Sequence, residues 1–432
     1  MYQKFINFKN CISNNQEIKL LIIIFLIIFS SINFHKNQYK VADQSFFNNF
    51  QKDSEALVLG KIAEDKYNKS TDYYGLGFVS IDEKFVYGKN TIDGYSVINE
   101  NIEPKDYLSY KSQVGLHGYI YSFIFNKLKI DSINKLKFIT SFFSAIVLVV
   151  LTLLFWKIIG KLFASIFFTT IFFSRWIVSF SGNLYWVSFL WFLPAIFSFL
   201  VFVDIDNKRK YIWLFCFMLS IFIKSLCGYE YLSTIVLFAL SVFFIAPFLE
   251  NNSISKNKLL KYIVIIFGLS IFGFLLAIGI HSLLRGEGDL LLGLKNIYEQ
   301  DVLRRTFGGD ATKFNPVYSD SFNASLLDVL KKYIFEFNTD LLKGKSGKFF
   351  PVLIILNIII LFKTKSFNIK KLNSAMFIVF SLAPLSWYFL GKSHSFIHTH
   401  MNYVLWYFGF IAVLIYIPIQ YFYNLFLNCI EV

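Results

Sequence analysis

The sequence predicts an all-α polytopic membrane protein. Three observations carry this prediction. Of 432 residues, 56% are apolar and only 16% are charged, against about 25% charged in a soluble domain. Mean hydropathy is +0.54. The apolar residues gather in long runs, to which Phe alone contributes 54. Such a composition excludes a disordered chain, a coiled coil and an ordinary soluble enzyme. It is read as a single integral membrane domain over 1–432. The four cysteines, Cys11, Cys216, Cys227 and Cys429, show no metal-ligand or disulfide spacing.

Apolar runs of roughly 17–25 residues can cross a bilayer as helices. About ten are expected, near 18–34, 138–156, 159–178, 184–203, 211–226, 230–248, 260–281, 349–364, 373–390 and 402–425. Arg175 interrupts the third. The first follows Lys4, Lys9 and Lys19 but is flanked by Ser-Ile-Asn-Phe-His instead of a small-residue cleavage site. It therefore reads as an uncleaved anchor.

Lysine and arginine in short connections mark the cytoplasmic side. Four connections are basic: Lys157 and Lys161; Lys208, Arg209 and Lys210; Lys256, Lys258 and Lys261; Lys363, Lys365, Lys370 and Lys371. Ten spans place all four, with both termini, on one side. Most of the net charge, 42 − 28 = +14, is then an orientation signal, and a nucleic-acid partner is not needed. The opposite, outer side receives two long loops, 35–137 and 282–348, and short turns near 175–183, 226–230 and 391–401. Any chemistry is expected on that face.

In the first long loop, Ala56, Leu59, Ile62 and Ala63 share one helical face, with Lys61, Asp65 and Lys66 on the other. A second stripe, Leu116, Ile120, Phe123 and Ile124, follows within Val114–Leu128. Both suit helices lying on a membrane surface. The Tyr-, Asp- and Gly-rich stretch between them reads as loop with short strands. Asp53-Ser-Glu55 opens the first of these helices.

This layout resembles the GT-C superfamily of membrane glycosyltransferases, which includes protein O-mannosyltransferases and aminoarabinose transferases. Those proteins carry many spans, a long first outer loop with two membrane-surface helices, and a short acidic motif near its start. The likeness covers the first loop and the overall topology. It implies that a sugar is moved from a polyprenyl-phosphate carrier to a glycan or lipid acceptor such as lipopolysaccharide, at the outer face of a bacterial inner membrane. It also implies that Asp53 accepts the acceptor proton, with Glu55 in support. Transfer to a hydroxyl needs such a base, although Asp equally favours a helix N-cap. A divalent metal ion is left open by the resemblance, since some members use one and others do not.

Other candidates come from the outer turns. Lys224, Tyr229 and Glu230 sit at a membrane boundary, where charge is costly and is often functional. The last turn holds Lys392, His394, His398, His400 and Asn402. Its spacing fits no zinc pattern, so a polar grip on phosphate or sugar hydroxyls is the better expectation. Ser181-Gly-Asn-Leu-Tyr-Trp186 begins the fourth span, where Asn183 and Trp186 either line a cavity or anchor the interface. Arg304 and Arg305 end a helical run, Leu290–Thr306, ahead of Phe-Gly-Gly. Two arginines there suit the helix dipole or a carrier phosphate. A further helix is expected near Ala324–Phe337.

The chain has no P-loop, no GxGxxG after a strand and no HExxH. Its spans hold few ionisable residues, which disfavours an ion relay. The rival readings are an O-antigen-type polymerase or ligase, and a flippase or transporter for lipid-linked sugars.

Overall fold

The computed structural model describes residues 16–69, 73–130, 132–250, 252–306 and 319–430. The Phe-Gly-Gly that follows Thr306 lies outside them. Apart from turns and loops, the described chain is helical, with two short antiparallel ribbons. One pairs β1 (Gly77–Ser80) with β2 (Asp106–Ser109); the other pairs β3 (Asp340–Leu342) with β4 (Lys345–Ser346).

The chain opens with α1 (Gln16–Lys36), which packs on α6 (Ile133–Ile158). Between them lie α2 (Gln44–Asn49), α3 (Lys52–Lys66), α4 (Asp93–Asn99) and α5 (Leu116–Asn126). After α6 come α7 (Lys161–Phe172), α8 (Arg175–Ser181), α9 (Phe189–Val203), α10 (Lys210–Cys227), α11 (Leu232–Ile245), α12 (Lys256–Arg285) and α13 (Leu290–Ile297). The last part contains α14 (Leu326–Ile334), α15 (Phe350–Lys363), α16 (Phe367–Leu390), α17 (Lys392–Ile397), α18 (Thr399–Asn402) and α19 (Phe410–Ile430).

Every expected span falls on helix, but their lengths differ. Five helices, α1, α6, α10, α12 and α16, are long and apolar enough to cross a membrane. The count rises to seven if each bent pair is one span: α7 with α8, bent by 68°, and 399–407 with 410–426, bent by 46°. Arg175 sits at the first break. Ser174 caps α8 by accepting from the Ile177 amide at 3.2 Å, and the Arg175 guanidinium lies 3.9 Å from the centre of the Phe46 ring. The second break is Gly409, whose φ of +89° only glycine adopts readily. The other expected spans fall on α9, α11 and α15, of 15, 14 and 14 residues.

The two long loops and the short turns expected beside them meet at one end of the helices. The Gly115 amide donates to Leu226 O at 3.0 Å, Lys343 N to Phe173 O at 3.0 Å and Ser393 N to Thr306 O at 3.1 Å. The four basic connections gather elsewhere: Lys157, Asp206, Glu250 and Asn368 line one cavity of about 500 Å³.

The first loop folds differently from the simple surface helices expected. Helix α3 is buried continuously from Glu55 to Glu64, so it is a core element of the loop. Lys61 of its polar face survives burial because it meets Glu64 at 2.8 Å and the exposed Asp65 at 2.9 Å; a buried charge needs a partner. Helix α5 keeps an outward apolar stripe, with Ile120 and Phe123 exposed. Close backbone contacts join these pieces. A Cβ on Gly60 would sit 1.9 Å from Gly77 O, and one on Gly118 would sit 1.6 Å from Gly75 O.

Replacing Gly60 should therefore part α3 from β1. Gly60→Val is expected to lower unfolding stability in detergent by about 1–3 kcal/mol, as overpacking does. Gly268→Ala, where a Cβ meets nothing within 4 Å, is expected to leave it unchanged or raise it by up to about 1 kcal/mol. Equal melting temperatures for the two variants would contradict this packing.

Candidate functional site

The meeting of loops encloses a cavity of about 360 Å³, open on one side. Its charged and imidazole lining is Asp53, Glu230, Arg304, Arg305, His394, His398 and His400. These seven positions span 348 residues of sequence (400 − 53 + 1). Each wall has a distinct local cause.

Asp53 stands in the first turn of α3. The N-cap is Gln51, held in the left-handed region at φ +53°, so Asp53 is not the cap. The first turn still favours a carboxylate, because the free amides there carry the positive end of the helix dipole. Asp53 is exposed to the cavity, and no hydrogen bond or ion pair from another described side chain engages its carboxylate.

Glu55 is different. It is fully buried and does not line the cavity. Its carboxylate accepts from Lys137 Nζ at 3.0 Å, from the Leu184 amide at 2.9 Å and from the Tyr95 hydroxyl. It thus ties α3 to α4, to the start of α6 and to the turn before α9. Asn183 fastens the same turn. Its Oδ1 accepts from the Tyr185 and Trp186 amides, and its Nδ2 reaches Phe50 O and Gln51 O. Asn183 is therefore a brace, whereas Trp186 and Tyr185 face the cavity.

Elsewhere in the same lining, Arg305 Nη1 donates to Glu230 Oε1 at 3.1 Å, with both side chains largely buried. Burial disfavours the guanidinium charge, but Glu230, with Tyr110, Asp301 and Tyr185 nearby, more than offsets it and holds the proton tighter than usual. Only one guanidinium nitrogen is used in this pair, and arginine carries five N–H donors in a planar fork. Glu230 can reach Arg305 because residue 228 is glycine. A Cβ there would lie 2.6 Å from Glu230 Oε2 and 2.8 Å from Gln113 Oε1. Arg304 is held at 3.7 Å from Asp301.

The three histidine rings adjoin in sequence, tilted for His394 and His398 with centroids 4.4 Å apart and edge-on for His398 and His400 at 5.4 Å. All three lose basicity. Burial pushes His394 well below 6.5, aided by His398 and the two arginines. Burial also brings His398 to about 4, with His400 and Arg305 adding to it and Glu230 opposing. His400 is lowered by burial, which nearby Asp53 partly offsets. At neutral pH these rings are uncharged. They can exchange hydrogen bonds with hydroxyls, but they add no positive charge for a phosphate. Among the described residues, no three His, Cys, Asp or Glu side chains are grouped to hold a metal ion.

Besides Glu55, two further expected members, Lys392 and Tyr229, lie away from the cavity. Lys392 Nζ donates to Phe322 O at 2.9 Å and Ala324 O at 2.7 Å, fixing α17 to the second loop. The Tyr229 hydroxyl meets His281 Nδ1 at 3.0 Å, and His281 Nε2 meets Lys111 O at 3.0 Å. Tyr229 thus ties its turn to α12, and His281 carries the link on to the first loop. Conversely, Gln51, Ser54, Phe78, Tyr87, Tyr110, Tyr185 and Met401 line the cavity without having been singled out from the sequence. The tyrosine-rich composition of 70–110 was the available signal. Which of its rings turn inward depends on the β1–β2 pairing. Asn402, behind the histidines, accepts from the Tyr231 hydroxyl at 2.7 Å, coupling the last turn to the one that carries Glu230.

The neutral histidines give a pH dependence. A ring with an ordinary value of 6.5 when unfolded and about 4 when folded makes the unfolded state bind more protons between those limits. Stability therefore rises with pH across that window. The melting temperature in detergent is expected to be flat above about pH 6.5 and to fall as pH drops toward 4. His398→Gln should shrink this fall, and an unchanged acid slope in that variant would overturn the assignment. No protein-family model matches the chain, and neither does any curated protein or solved structure.

Proposed function

We propose that this chain is a GT-C-type membrane glycosyltransferase that moves a sugar from a polyprenyl-phosphate carrier to an acceptor hydroxyl. The single observation that carries the reading is the convergence of Asp53, Arg304, Arg305 and the histidine turn on one open cavity. An exposed carboxylate in one cavity with a pair of arginines suits transfer from a phosphate-linked sugar.

In this reading the acceptor hydroxyl loses its proton to the Asp53 carboxylate as its oxygen bonds the anomeric carbon. The bond from that carbon to the phosphate oxygen breaks, and its electron pair leaves with the carrier phosphate. Arg304 and Arg305 stabilise the phosphate as it takes up charge. Attack and departure on opposite faces of the sugar invert the anomeric centre. The neutral histidines and Tyr110 offer hydrogen bonds to sugar hydroxyls. Tyr185 and Trp186 offer flat apolar faces to a sugar ring. Glu230 is committed to Arg305, which leaves Asp53 as the base.

The same proposal places about ten spans in a bacterial inner membrane, with both termini cytoplasmic. Three helices then cross as short or oblique segments. The basic connections 157–161, 204–210, 249–261 and 363–371 face the cytoplasm by the positive-inside rule. The cavity opens on the outer face, where the acceptor is a lipid-linked glycan or lipopolysaccharide.

Asp53→Asn keeps size and polarity but cannot take a proton. It is expected to abolish transfer, losing at least about 10²-fold in rate, with the protein still folded and inserted. Mass spectrometry of the surface glycans of cells carrying only this variant should show one missing sugar. Loss of chain length instead would indicate a polymerase. An unchanged glycan profile would refute the catalytic role.

A further inference from the structure

Span α12 does not simply end at Arg285. The chain reverses through Glu287 and Gly288, both at positive φ, and starts α13 on the Asp289 carboxylate, which accepts from the Leu291 and Leu292 amides at 2.9 and 3.0 Å. Two glycines make the elbow tight. A Cβ on Gly293 would sit 1.8 Å from Ser282 O, and one on Gly286 would sit 1.9 Å from Asp289 O. Beyond α13 a π turn, Tyr298–Val302, carries buried Asp301. Asp301 lies 3.9 Å from Arg285 and 3.7 Å from Arg304. Helix α13 is thus fixed to the end of a span at one side and to the cavity at the other.

Its outer surface is apolar where a soluble loop would be polar. Leu290, Leu291, Leu294, Tyr298 and Val302 recur at helical spacing and are exposed, Leu291 by 75%. Gly293, Ile297 and Asp301 form the buried strip, and Lys295 and Glu299 form a polar one. The helix that leads into the elbow, α12, likewise exposes apolar residues near that end: Leu275, Leu276, Ile280 and Leu283. A helix with an apolar stripe beside a charged strip, too short to span, suits the boundary of headgroups and acyl chains.

We infer that α13 and its π turn lie in the lipid headgroup layer, with the Leu290–Val302 stripe against acyl chains. The partner is the bilayer surface itself. The elbow glycines and Asp301 then hold Arg304 at headgroup depth, so that a lipid-borne phosphate reaches the arginines from within the leaflet. That last consequence rests on the proposed function; the position of the helix does not.

The test places benzoylphenylalanine singly at 291, 299 and 276 in the full chain, reconstituted in phosphatidylethanolamine–phosphatidylglycerol vesicles. After illumination, lipid adducts on the labelled peptides are quantified by mass spectrometry. Leu276 lies on the exposed face of a span and Glu299 on the polar strip. The yield at 291 is expected to be close to that at 276 and about tenfold above that at 299. A yield at 291 nearer to that at 299 overturns the inference. An inactive or active Asp53→Asn variant has no bearing on this readout, so the two proposals fail separately.

Discussion

The site depends on a buried carboxylate that does not face it. Glu55 draws Tyr95, Lys137 and the Leu184 amide to one point. These groups belong to the first loop, to the foot of a long span and to the turn before another. A buried charge left without partners is strongly unfavourable, so the three elements are held together or the carboxylate is exposed. Two residues earlier, Asp53 is delivered to the cavity by the same helix. The motif therefore divides its labour along the chain: one acid fastens, the other remains available.

The far wall follows the same economy. Arg305 is fixed by Glu230, and Glu230 has room because Gly228 lacks a side chain. Arg304 is steadied through Asp301, which also faces the end of a span. The histidines sit between two arginines and a carboxylate, and burial keeps them neutral. Positive charge in the cavity thus resides in two guanidiniums, while neutral polar and aromatic groups cover the remaining surface. A ligand that combines one anionic group with hydroxyls and a ring fits that division.

Much of this was readable from residues alone. The apolar runs located the helices, because hydrocarbon burial fixes both length and composition. Glu230 stood out as a charge at an apolar boundary, the three histidines as a cluster in a short turn, Arg304 and Arg305 as a basic helix end, and Asp53 through the resemblance of its motif; all seven share one cavity. What the sequence hid depended on direction. Lys392 and Tyr229 look like cavity groups, yet their side chains turn toward backbone carbonyls and His281. Helix α3 reads as a surface helix because Lys61, Asp65 and Lys66 share a face. Only the pairing of Lys61 with Glu64 and Asp65 shows how Lys61 is buried within that face. Helix periodicity reports which residues share a side, and it carries no information on what covers that side. The break at Arg175 was marked by the charge itself and is set by the Ser174 cap; the break at Gly409 rests on the positive φ of that glycine.

The central claim is that two arginines in an open cavity hold the phosphate of a lipid carrier. It is tested most directly by equilibrium binding of a polyprenyl monophosphate to the full-length protein in detergent, compared with the corresponding polyprenol. The account predicts tighter binding of the phosphate by at least about tenfold, the ~1.4 kcal/mol of one modest charge-assisted hydrogen bond. It also predicts that Arg304→Gln narrows the difference. Equal affinities for the phosphate and the alcohol would contradict it.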